Sequence, residues 1–225
     1  MNYPTHIGII PDGCRRWADE QSMLPWKGHK RGIEVLEEIG RWSLGELPIK
    51  YYTVYGLSVE NLSRPREQLK FLSKLYAKHF LKLAEDPDIH KNEVSVGVVG
   101  KRELLTKEMN DAIDAAIDAT KGYGKKFFRV ALAYGGRDEI IDAVSKILEN
   151  GDKISIESIS RNLYSDVPEP DLILRTAEQR MSNFLLWQSA YSEVHFSNKF
   201  WPEFTIGDYK KALDDYSERK RRFGK

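Results

Sequence analysis

Cysteine is nearly absent from this sequence, since Cys14 is the single one among 225 residues. One thiol excludes an internal disulfide framework and a zinc site built from cysteines, and it fits a reducing compartment, so we expect a cytoplasmic protein. The first residues, Met-Asn-Tyr-Pro, carry no apolar run behind a basic stretch, which predicts that there is no signal peptide. A run of 18 apolar residues is also lacking, so we expect no membrane-spanning helix.

The sequence also lacks an excess of charge of one sign. Lys and Arg number 35, Asp and Glu number 34, and the formal net charge is +1. This balance does not favour binding to nucleic acid or to an anionic membrane, so an anion site must be a local cluster of Arg. The length, with 41% hydrophobic residues, predicts one sizeable core and a single domain over residues 1–225.

Short apolar runs alternate with longer segments of helical periodicity. The predicted strands lie at 6–10, 50–57, 93–99, 126–134, 171–175 and 194–197. The predicted helices lie at about 29–47, 66–84, 104–117, 138–148, 156–164 and 205–222. Strands that alternate with helices, through connections of this length, predict a three-layer α/β domain. Its central, mostly parallel sheet of about six strands is flanked by helices.

Ligands of such sheets bind beyond the carboxyl ends of the strands. Four polar clusters follow predicted strands, at 12–16, 58–64, 137–138 and 175–180. We therefore expect these clusters, which are far apart in sequence, to meet at one site.

The first cluster is Pro-Asp-Gly-Cys-Arg-Arg-Trp, residues 11–17. Asp12 at a strand end, followed by Gly13, allows close approach of the backbone to a ligand, and one carboxylate plus substrate phosphate oxygens is a common way to hold Mg²⁺. Arg15 and Arg16 add planar donors for phosphate. The alternative is a turn with an exposed pair of Arg.

Two further clusters are ambiguous by themselves. His29 follows Gly28 near a predicted helix start, where backbone N–H groups attract anions, although a capped helix with a solvated basic end explains the same residues. Ser58, Asn61 and Arg64 recur every three residues, so one helical turn would point all three the same way. The alternative interpretation is ordinary helix capping, which needs only one of these three residues.

The last clusters lie near the carboxyl terminus. Arg175, Arg180 and Ser182 form a candidate diphosphate clamp, unless Glu178 pairs with one of the Arg in a salt-bridged loop. Glu193 follows as a candidate metal ligand, whereas for His195 we favour a structural role. Residues 219–225 form a basic tail that either stays solvated or folds onto a phosphate site.

No Ser-His-Asp order, GxGxxG motif or P-loop appears. Many phosphate donors without a strong nucleophile indicate a reaction in which diphosphate leaves and an alkene captures a carbocation-like centre. From the residues alone we predict an α/β enzyme that handles diphosphates.

The whole chain resembles the cis-prenyltransferases, the family of undecaprenyl and dehydrodolichyl diphosphate synthases. Five segments carry the resemblance: HIGIIPDGCRRWA, GHKRG, YGLSVENLSRP, ALAYGGRDEI and the long stretch from PDLILRTAEQRMSNFLLWQ to FWPEF. The resemblance implies a Mg²⁺-dependent enzyme that joins isoprenoid diphosphates, a butterfly-shaped homodimer, and a hydrophobic tunnel under the sheet. Any membrane association would come through the lipid product alone.

The same resemblance implies the roles of the site residues. Asp12 would hold Mg²⁺, with Glu193 reaching the metal across the dimer, and Asp12, Ser58 and Asn61 would be catalytic. Substrate contacts would come from Gly13, Arg15, Arg16, Trp17, His29, Arg64, Arg175, Arg180, Ser182, Arg222 and Gly224. The dimer is also suggested by eight large apolar side chains within 183–201, more than one small domain covers comfortably.

Several positions depart from the family pattern. Cys14 replaces an Asn linked to proton removal, Arg15 replaces Gly, Pro25 replaces an Arg that binds diphosphate, and the segment from Arg175 to Arg180 is one residue short. The lavandulyl-type branch of the family, which couples two allylic diphosphates, shares P-D-G-x-R-R-W. Head-to-tail elongation with a Z double bond and lavandulyl-type coupling therefore both stay open. A non-catalytic partner subunit is the third alternative.

Overall fold

Six parallel strands form the centre of the molecule, which we describe for residues 2–219 from a computed structural model. The strands are β1 (His6–Ile10), β2 (Tyr51–Ser58), β3 (Val94–Val99), β4 (Lys126–Tyr134), β5 (Leu172–Thr176) and β6 (Glu193–Ser197). Their order in the sheet is β3-β4-β2-β1-β5-β6, and each of the five pairings is parallel. The predicted α/β fold is confirmed, with a sheet that is wholly parallel over these residues.

The helices of the described range are α1 (Cys14–Glu20), α2 (Pro25–Glu46), α3 (Arg66–Glu85), α4 (Pro87–Lys91), α5 (Lys107–Thr120), α6 (Gly136–Glu149), α7 (Ile156–Asn162) and α8 (Ile206–Glu218). The chain order explains the layers. The crossovers that carry α2 and α3 run towards the β3 edge, whereas the crossover through α6 and α7 returns towards the β6 edge; α5, between β3 and β4, packs in the same core as α3. Because such crossovers are right-handed, the two sets cover opposite faces.

The alternation of side chains along the strands matches this arrangement. Ile7 and Ile9 of β1 belong to a core with α2 and α8, and Leu72 and Phe80 of α3 belong to a second core on strands β3 and β4. Ile10 points to the other face and belongs to the third core.

Several helix bounds differ from the predicted ones. The helix α1, with seven residues, was too short to show periodicity, and α4 was missed for the same reason. The helix α2 begins at Pro25 rather than near residue 29, because proline suits the first position of a helix. The closing helix ends at Glu218 rather than at residue 222, since Arg219 already has extended backbone angles.

The apolar stretch 183–201 is covered by the chain itself only in part. Phe184, Leu185 and Trp201 are all buried in the described part of the chain. They pack against the sheet on its two faces. Tyr191 and Phe196, by contrast, are 66% and 37% exposed, so the expectation that this stretch leaves apolar surface for a partner stays a prediction.

Candidate active site

A cavity of about 920 Å³ opens where β1, β2 and β5 end and continues between α2 and α3. Its opening is polar, and the predicted residues that line it are Asp12, Gly13, Arg15, Arg16, His29, Ser58, Asn61, Arg64, Arg175, Arg180 and Ser182. Its interior is mostly apolar, lined by side chains such as Leu36, Leu44, Val54, Leu72, Phe80 and Val130. Three of the four predicted polar clusters therefore meet at one site.

Asp12 and Arg175 form the centre of the polar opening. Arg175 is 2% exposed, and its guanidinium donates to the Asp12 carboxylate at 2.8 Å, to the Ser182 hydroxyl at 2.5 Å and to the carbonyl of Arg180. Thr176 also fixes Asp12, because its hydroxyl accepts from the Asp12 amide and donates to the Asp12 carbonyl. The carboxylate is thus held rigidly, yet its side chain stays 35% exposed to the cavity.

Glycines let the helices approach this centre closely. Gly13 has a φ of 98°, and a Cβ there would lie 2.5 Å from the ring of Phe200. A Cβ on Gly28 would lie 1.9 Å from the carbonyl oxygen of Cys14, which begins α1. These two glycines let α1 and its Arg pair lie against α2 and against Phe200, which follows β6.

Glu178 lies between the two exposed Arg of the opening. Its carboxylate accepts from Arg16 at 2.7 Å and from Arg180 at 2.9 Å. The sequence suggested that Glu178 would pair with one Arg, and it pairs with two. An incoming diphosphate would replace this carboxylate as the partner of both.

His29 offers an unpaired ring nitrogen. Its Nε2 is shielded from solvent and has no hydrogen-bond partner among the described residues. Burial, helped by the nearby Arg64 and Arg15, lowers the pKa of His29 to about 4, so the ring is neutral at pH 7. Gly28 and His29 lie in the second turn of α2 rather than at its start, so the expected contribution from free backbone N–H groups was wrong.

Ser58, Asn61 and Arg64 all line the cavity, as their spacing predicted. A 3₁₀ turn, Glu60–Ser63, carries them from the end of β2 towards α3. The Ser58 hydroxyl accepts from the backbone N–H of Asn61 at 3.2 Å, which ties the end of β2 to the turn. Burial and Arg15 lower the pKa of Arg64.

Cys14 is enclosed rather than reactive. A Cβ on Gly32 would lie 2.7 Å from its sulfur, so the thiol packs against α2. Burial, with a contribution from Asp12, raises the pKa of Cys14 to about 12. The thiol therefore stays protonated at pH 7.

Other predicted residues lie away from the cavity. Trp17 is half-buried and does not line it in the described part of the chain. Arg137 and Asp138 were expected there and are not: the Arg137 amide donates to Asn183, and Asp138 pairs with Lys101 at 3.4 Å. These two residues begin α6, which packs on the opposite face of the sheet from α2 and α3.

The carboxyl-terminal candidates have different positions. Glu193 begins β6, level with Leu172, and pairs with Arg219 at 2.9 Å. It does not approach Asp12 within the described chain, so its role across a dimer stays a prediction. His195 pairs with Asp215 at 2.9 Å, in keeping with a structural role. Arg222 and Gly224 lie outside the described residues.

Sequence reasoning missed part of the cavity wall. It named no helix for the wall of the tunnel, to which α2 and α8 contribute Leu36, Ser43 and Tyr209. Ile33, Leu36 and Gly40 recur on one side of α2, and this spacing was the signal that could have predicted that α2 lines the cavity.

The residues present fit a Mg²⁺ ion held mainly by substrate. Asp12 supplies one carboxylate beside several phosphate donors, and Mg²⁺ commonly takes one or two carboxylates plus substrate phosphates. No group of three or more His, Cys, Asp or Glu suited to a metal occurs within residues 2–219. An all-protein metal cage is therefore not built by this part of the chain.

Comparison with known proteins decides the family, since the family model of undecaprenyl diphosphate synthase matches residues 10–224. The chain belongs to the undecaprenyl diphosphate synthase family of prenyltransferases. A Methanopyrus kandleri member, a tritrans,polycis-undecaprenyl-diphosphate synthase specific for geranylgeranyl diphosphate, is 46% identical over 99% of this chain and 85% of its own length. The isoprenyl transferase of Thermotoga maritima is 43% identical over 100% of this chain and 98% of its own.

One solved structure has nearly the same fold. It is lavandulyl diphosphate synthase from Lavandula x intermedia, determined in complex with dimethylallyl diphosphate. Its TM-score is 0.91 at 32% identity, over 99% of both chains. In the protein described here, no helix within residues 2–219 is both long and apolar enough to cross a bilayer.

Proposed function

We propose that this protein is an active cis-prenyltransferase that adds isopentenyl diphosphate to an allylic diphosphate and forms a Z double bond. The observation that carries the proposal is the shape of the cavity. An opening rich in Arg continues directly into an apolar space between α2 and α3, as a substrate with a diphosphate head and a hydrocarbon tail requires. The volume of about 920 Å³ is at the large end of ordinary ligand sites.

The residues of the opening divide into two diphosphate sites. Arg16 and the unpaired Nε2 of His29 would bind the allylic diphosphate. Arg175, Arg180 and Ser182, already joined by hydrogen bonds, would bind the isopentenyl diphosphate. Ser58, Asn61 and Arg64 would lie near the carbons that react.

In this reaction the bond between C1 of the allylic substrate and its diphosphate oxygen breaks, and diphosphate leaves with the electron pair. The alkene of isopentenyl diphosphate attacks C1, and loss of a proton restores a double bond. Fixed cations at the opening stabilise the charge that develops on the leaving group. The Cys14 thiol does not act as the base, because its raised pKa keeps it protonated.

The proposal includes Mg²⁺ held by Asp12, which would neutralise charge on the departing diphosphate. Glu193 of a neighbouring subunit would complete the metal site in a homodimer. Exposed apolar side chains on α6 support a dimer, since Ile141 and Leu148 are 64% and 62% exposed. We also propose a cytoplasmic location, which the single cysteine supports.

The names of the relatives suggest the starter. Several are described as specific for geranylgeranyl diphosphate, and we propose the same allylic substrate here. The test is incubation of the purified protein and Mg²⁺ with labelled isopentenyl diphosphate and dimethylallyl, farnesyl or geranylgeranyl diphosphate. We expect label in Z-polyprenyl diphosphates, most rapidly with geranylgeranyl diphosphate. No incorporation with any starter would reject the proposal.

A second coupling is favoured by the likeness to lavandulyl diphosphate synthase and by the residues at 14 and 15. Cys14 cannot place a proton transfer as Asn would, and Arg15 adds a cation at the opening. We propose that dimethylallyl diphosphate also serves as acceptor and gives branched products. NMR of products from dimethylallyl diphosphate paired with a longer allylic diphosphate tests this. Linear products alone, in the wild type and in Cys14→Asn, would rule it out.

The arrangement does not favour a non-catalytic partner subunit. Asp12, Arg16, Arg175 and Arg180 are all present and lie together at the opening. A subunit without activity would have no need to retain them. The incubation above distinguishes the two alternatives.

A further inference from the structure

The turn at residues 182–185 has an uncommon backbone conformation. Ser182, Asn183 and Leu185 have φ angles of 48°, 64° and 44°, in the left-handed region that residues other than glycine seldom adopt. Such a conformation persists only where the surrounding contacts hold it. The Ser182 hydroxyl accepts from Arg175 at 2.5 Å. The contacts that hold this turn therefore also fix one residue of the candidate diphosphate clamp.

Asn183 holds the turn against the start of α6. Its backbone carbonyl accepts from the backbone N–H of Gly136 at 2.7 Å, and its Oδ1 accepts from the backbone N–H of Arg137 at 2.9 Å. These two N–H groups lie in the first turn of α6, where a helix offers them no carbonyl of its own. The polar cluster at 137–138, which the sequence predicted at the cavity, is thus connected to the clamp through Asn183.

Gly135 and Gly136 allow this close approach at the junction of β4 and α6. A Cβ on Gly135 would lie 2.8 Å from Nδ2 of Asn183. A Cβ on Gly136 would lie 3.1 Å from the carbonyl oxygen of Asn183 and 2.8 Å from Leu186. A side chain at either position would push the turn away from α6. The position of Asn183 therefore explains the Gly-Gly pair.

The third contact of Asn183 crosses to the turn that follows β2. Its Nδ2 donates to Oε1 of Glu60 at 3.0 Å, and Glu60 begins the 3₁₀ turn that carries Asn61. Although partial burial opposes it, hydrogen bonds from its own N–H, from Ser58 and from Asn183 lower the pKa of Glu60, so this carboxylate is ionised at pH 7. One amide side chain thus joins the clamp, the start of α6 and the turn after β2.

We propose that Asn183 is a positioning residue for the second substrate, and that its hydrogen bond to Glu60 sets the distance between the clamp and the turn after β2. This inference rests on the proposed function, in which the clamp binds isopentenyl diphosphate and that turn lies near the carbons that react. Asn183 lies outside the cavity lining of the described chain and acts through Ser182, which it holds against Arg175. Without the link to Glu60, the two segments would move independently and hold isopentenyl diphosphate less tightly.

Exchange of the amide and the carboxylate between the two positions tests this link. Asn183→Asp keeps an acceptor for the backbone N–H of Arg137, because an anion is favourable at a helix start, but it places a second carboxylate against Glu60. Glu60→Gln alone keeps an acceptor for the Asn183 amide. The double variant, with both substitutions, again has one donor opposite one acceptor. Asn162→Asp is the control, because the Asn162 amide donates to the carbonyl of Ser158 at 2.9 Å on α7, away from the cavity.

Incorporation of labelled isopentenyl diphosphate with geranylgeranyl diphosphate gives kcat and both Michaelis constants, and thermal melting reports on the fold. In Asn183→Asp we expect KM for isopentenyl diphosphate to rise about tenfold, as for loss of a hydrogen bond to a charged group. The KM for geranylgeranyl diphosphate and the Tm should stay close to those of the wild type. Glu60→Gln should raise KM for isopentenyl diphosphate less than Asn183→Asp does, and the double variant should return to within about twofold of the wild type. Asn162→Asp should change neither constant.

Equal rises of both Michaelis constants in Asn183→Asp, a lower Tm in place of a rise, or no change at all would overturn the proposal. So would a double variant that stays as impaired as Asn183→Asp. If the wild type incorporates label and the variants fail to behave as expected, this inference alone is rejected. If the wild type incorporates none with any starter, the proposed function is rejected and this inference with it.

Discussion

The guanidinium of Arg175 lies 2.8 Å from the carboxylate of Asp12, although 163 residues separate them in the sequence. Arg175 is the last but one residue of β5 and Asp12 follows β1, and these strands are neighbours in the sheet. Because Arg175 is almost fully buried, the pair needs both members: a lone guanidinium there would be an uncompensated charge. The pair therefore positions one acidic group among the cations of the opening.

We predict that Asp12→Ala lowers turnover by about a hundredfold or more, because stabilisation of a leaving group of this kind is worth several kcal/mol. Steady-state assays with isopentenyl diphosphate measure the effect. Asp12→Asn serves as a second variant that keeps the shape of the side chain, and Asp19→Asn as a control at the same opening. Full activity of Asp12→Asn, or of the wild type in excess chelator, would contradict a metal role for Asp12.

Removal of the Glu178 carboxylate should strengthen binding of inorganic diphosphate. In Glu178→Gln, the ligand no longer has to displace a carboxylate that is paired with Arg16 and Arg180. Exposed ion pairs contribute up to about 1 kcal/mol. We expect the dissociation constant to fall about fivefold, as measured by calorimetry with inorganic diphosphate. Weaker binding in Glu178→Gln would show instead that the carboxylate orients the two Arg productively.

Gly28→Ala should separate α1 from α2. The new Cβ would lie 1.9 Å from the carbonyl oxygen of Cys14, and overpacking of this kind costs about 1–3 kcal/mol. Gly45→Ala is the matched control on the same helix, since a Cβ there meets nothing within 4 Å, and it should stabilise by about 0.5 kcal/mol. Denaturant unfolding of both variants measures these effects. Equal stability of the two variants would be inconsistent with close contact at Gly28.

Acid should destabilise the protein partly through His29. The folded pKa of about 4 is below the usual 6.5, so between these pH values the unfolded state binds more protons, and the unfolding free energy falls as pH falls from 7 to 4. His29→Gln should reduce the loss between pH 7 and pH 5 by about 2 kcal/mol. Denaturant titrations at the two pH values provide the measurement. The same pH dependence in both proteins would mean that His29 titrates normally.

The fold was largely predictable, because the strands are short apolar runs and their crossovers are long. The polar opening was predictable for the same reason: Asp12, Ser58 and Arg175 lie at or just beyond the carboxyl ends of strands that end at the same edge. The predictions that failed concern features that depend on packing. Nothing in the local pattern showed that Arg137 begins a helix on the other face, or that Phe184 and Trp201 are covered by their own chain.

The gap between α2 and α3 was also beyond prediction from the sequence. Periodicity shows which side of each helix is apolar, but it does not show how far apart two such sides lie. Glu37 and His79 looked like ordinary solvated residues, and only their distance of 3.0 Å across the gap reveals the link.

The central claim is that the opening binds a prenyl diphosphate with its tail between α2 and α3. A crystal structure with Mg²⁺ and an unreactive thiolodiphosphate analogue of an allylic substrate tests it most directly. We predict that the diphosphate contacts Arg16 and Nε2 of His29, and that the hydrocarbon tail lies along Leu36, Leu75 and Phe80 towards Glu37. A diphosphate bound elsewhere, or a tail outside the space between α2 and α3, would contradict the account.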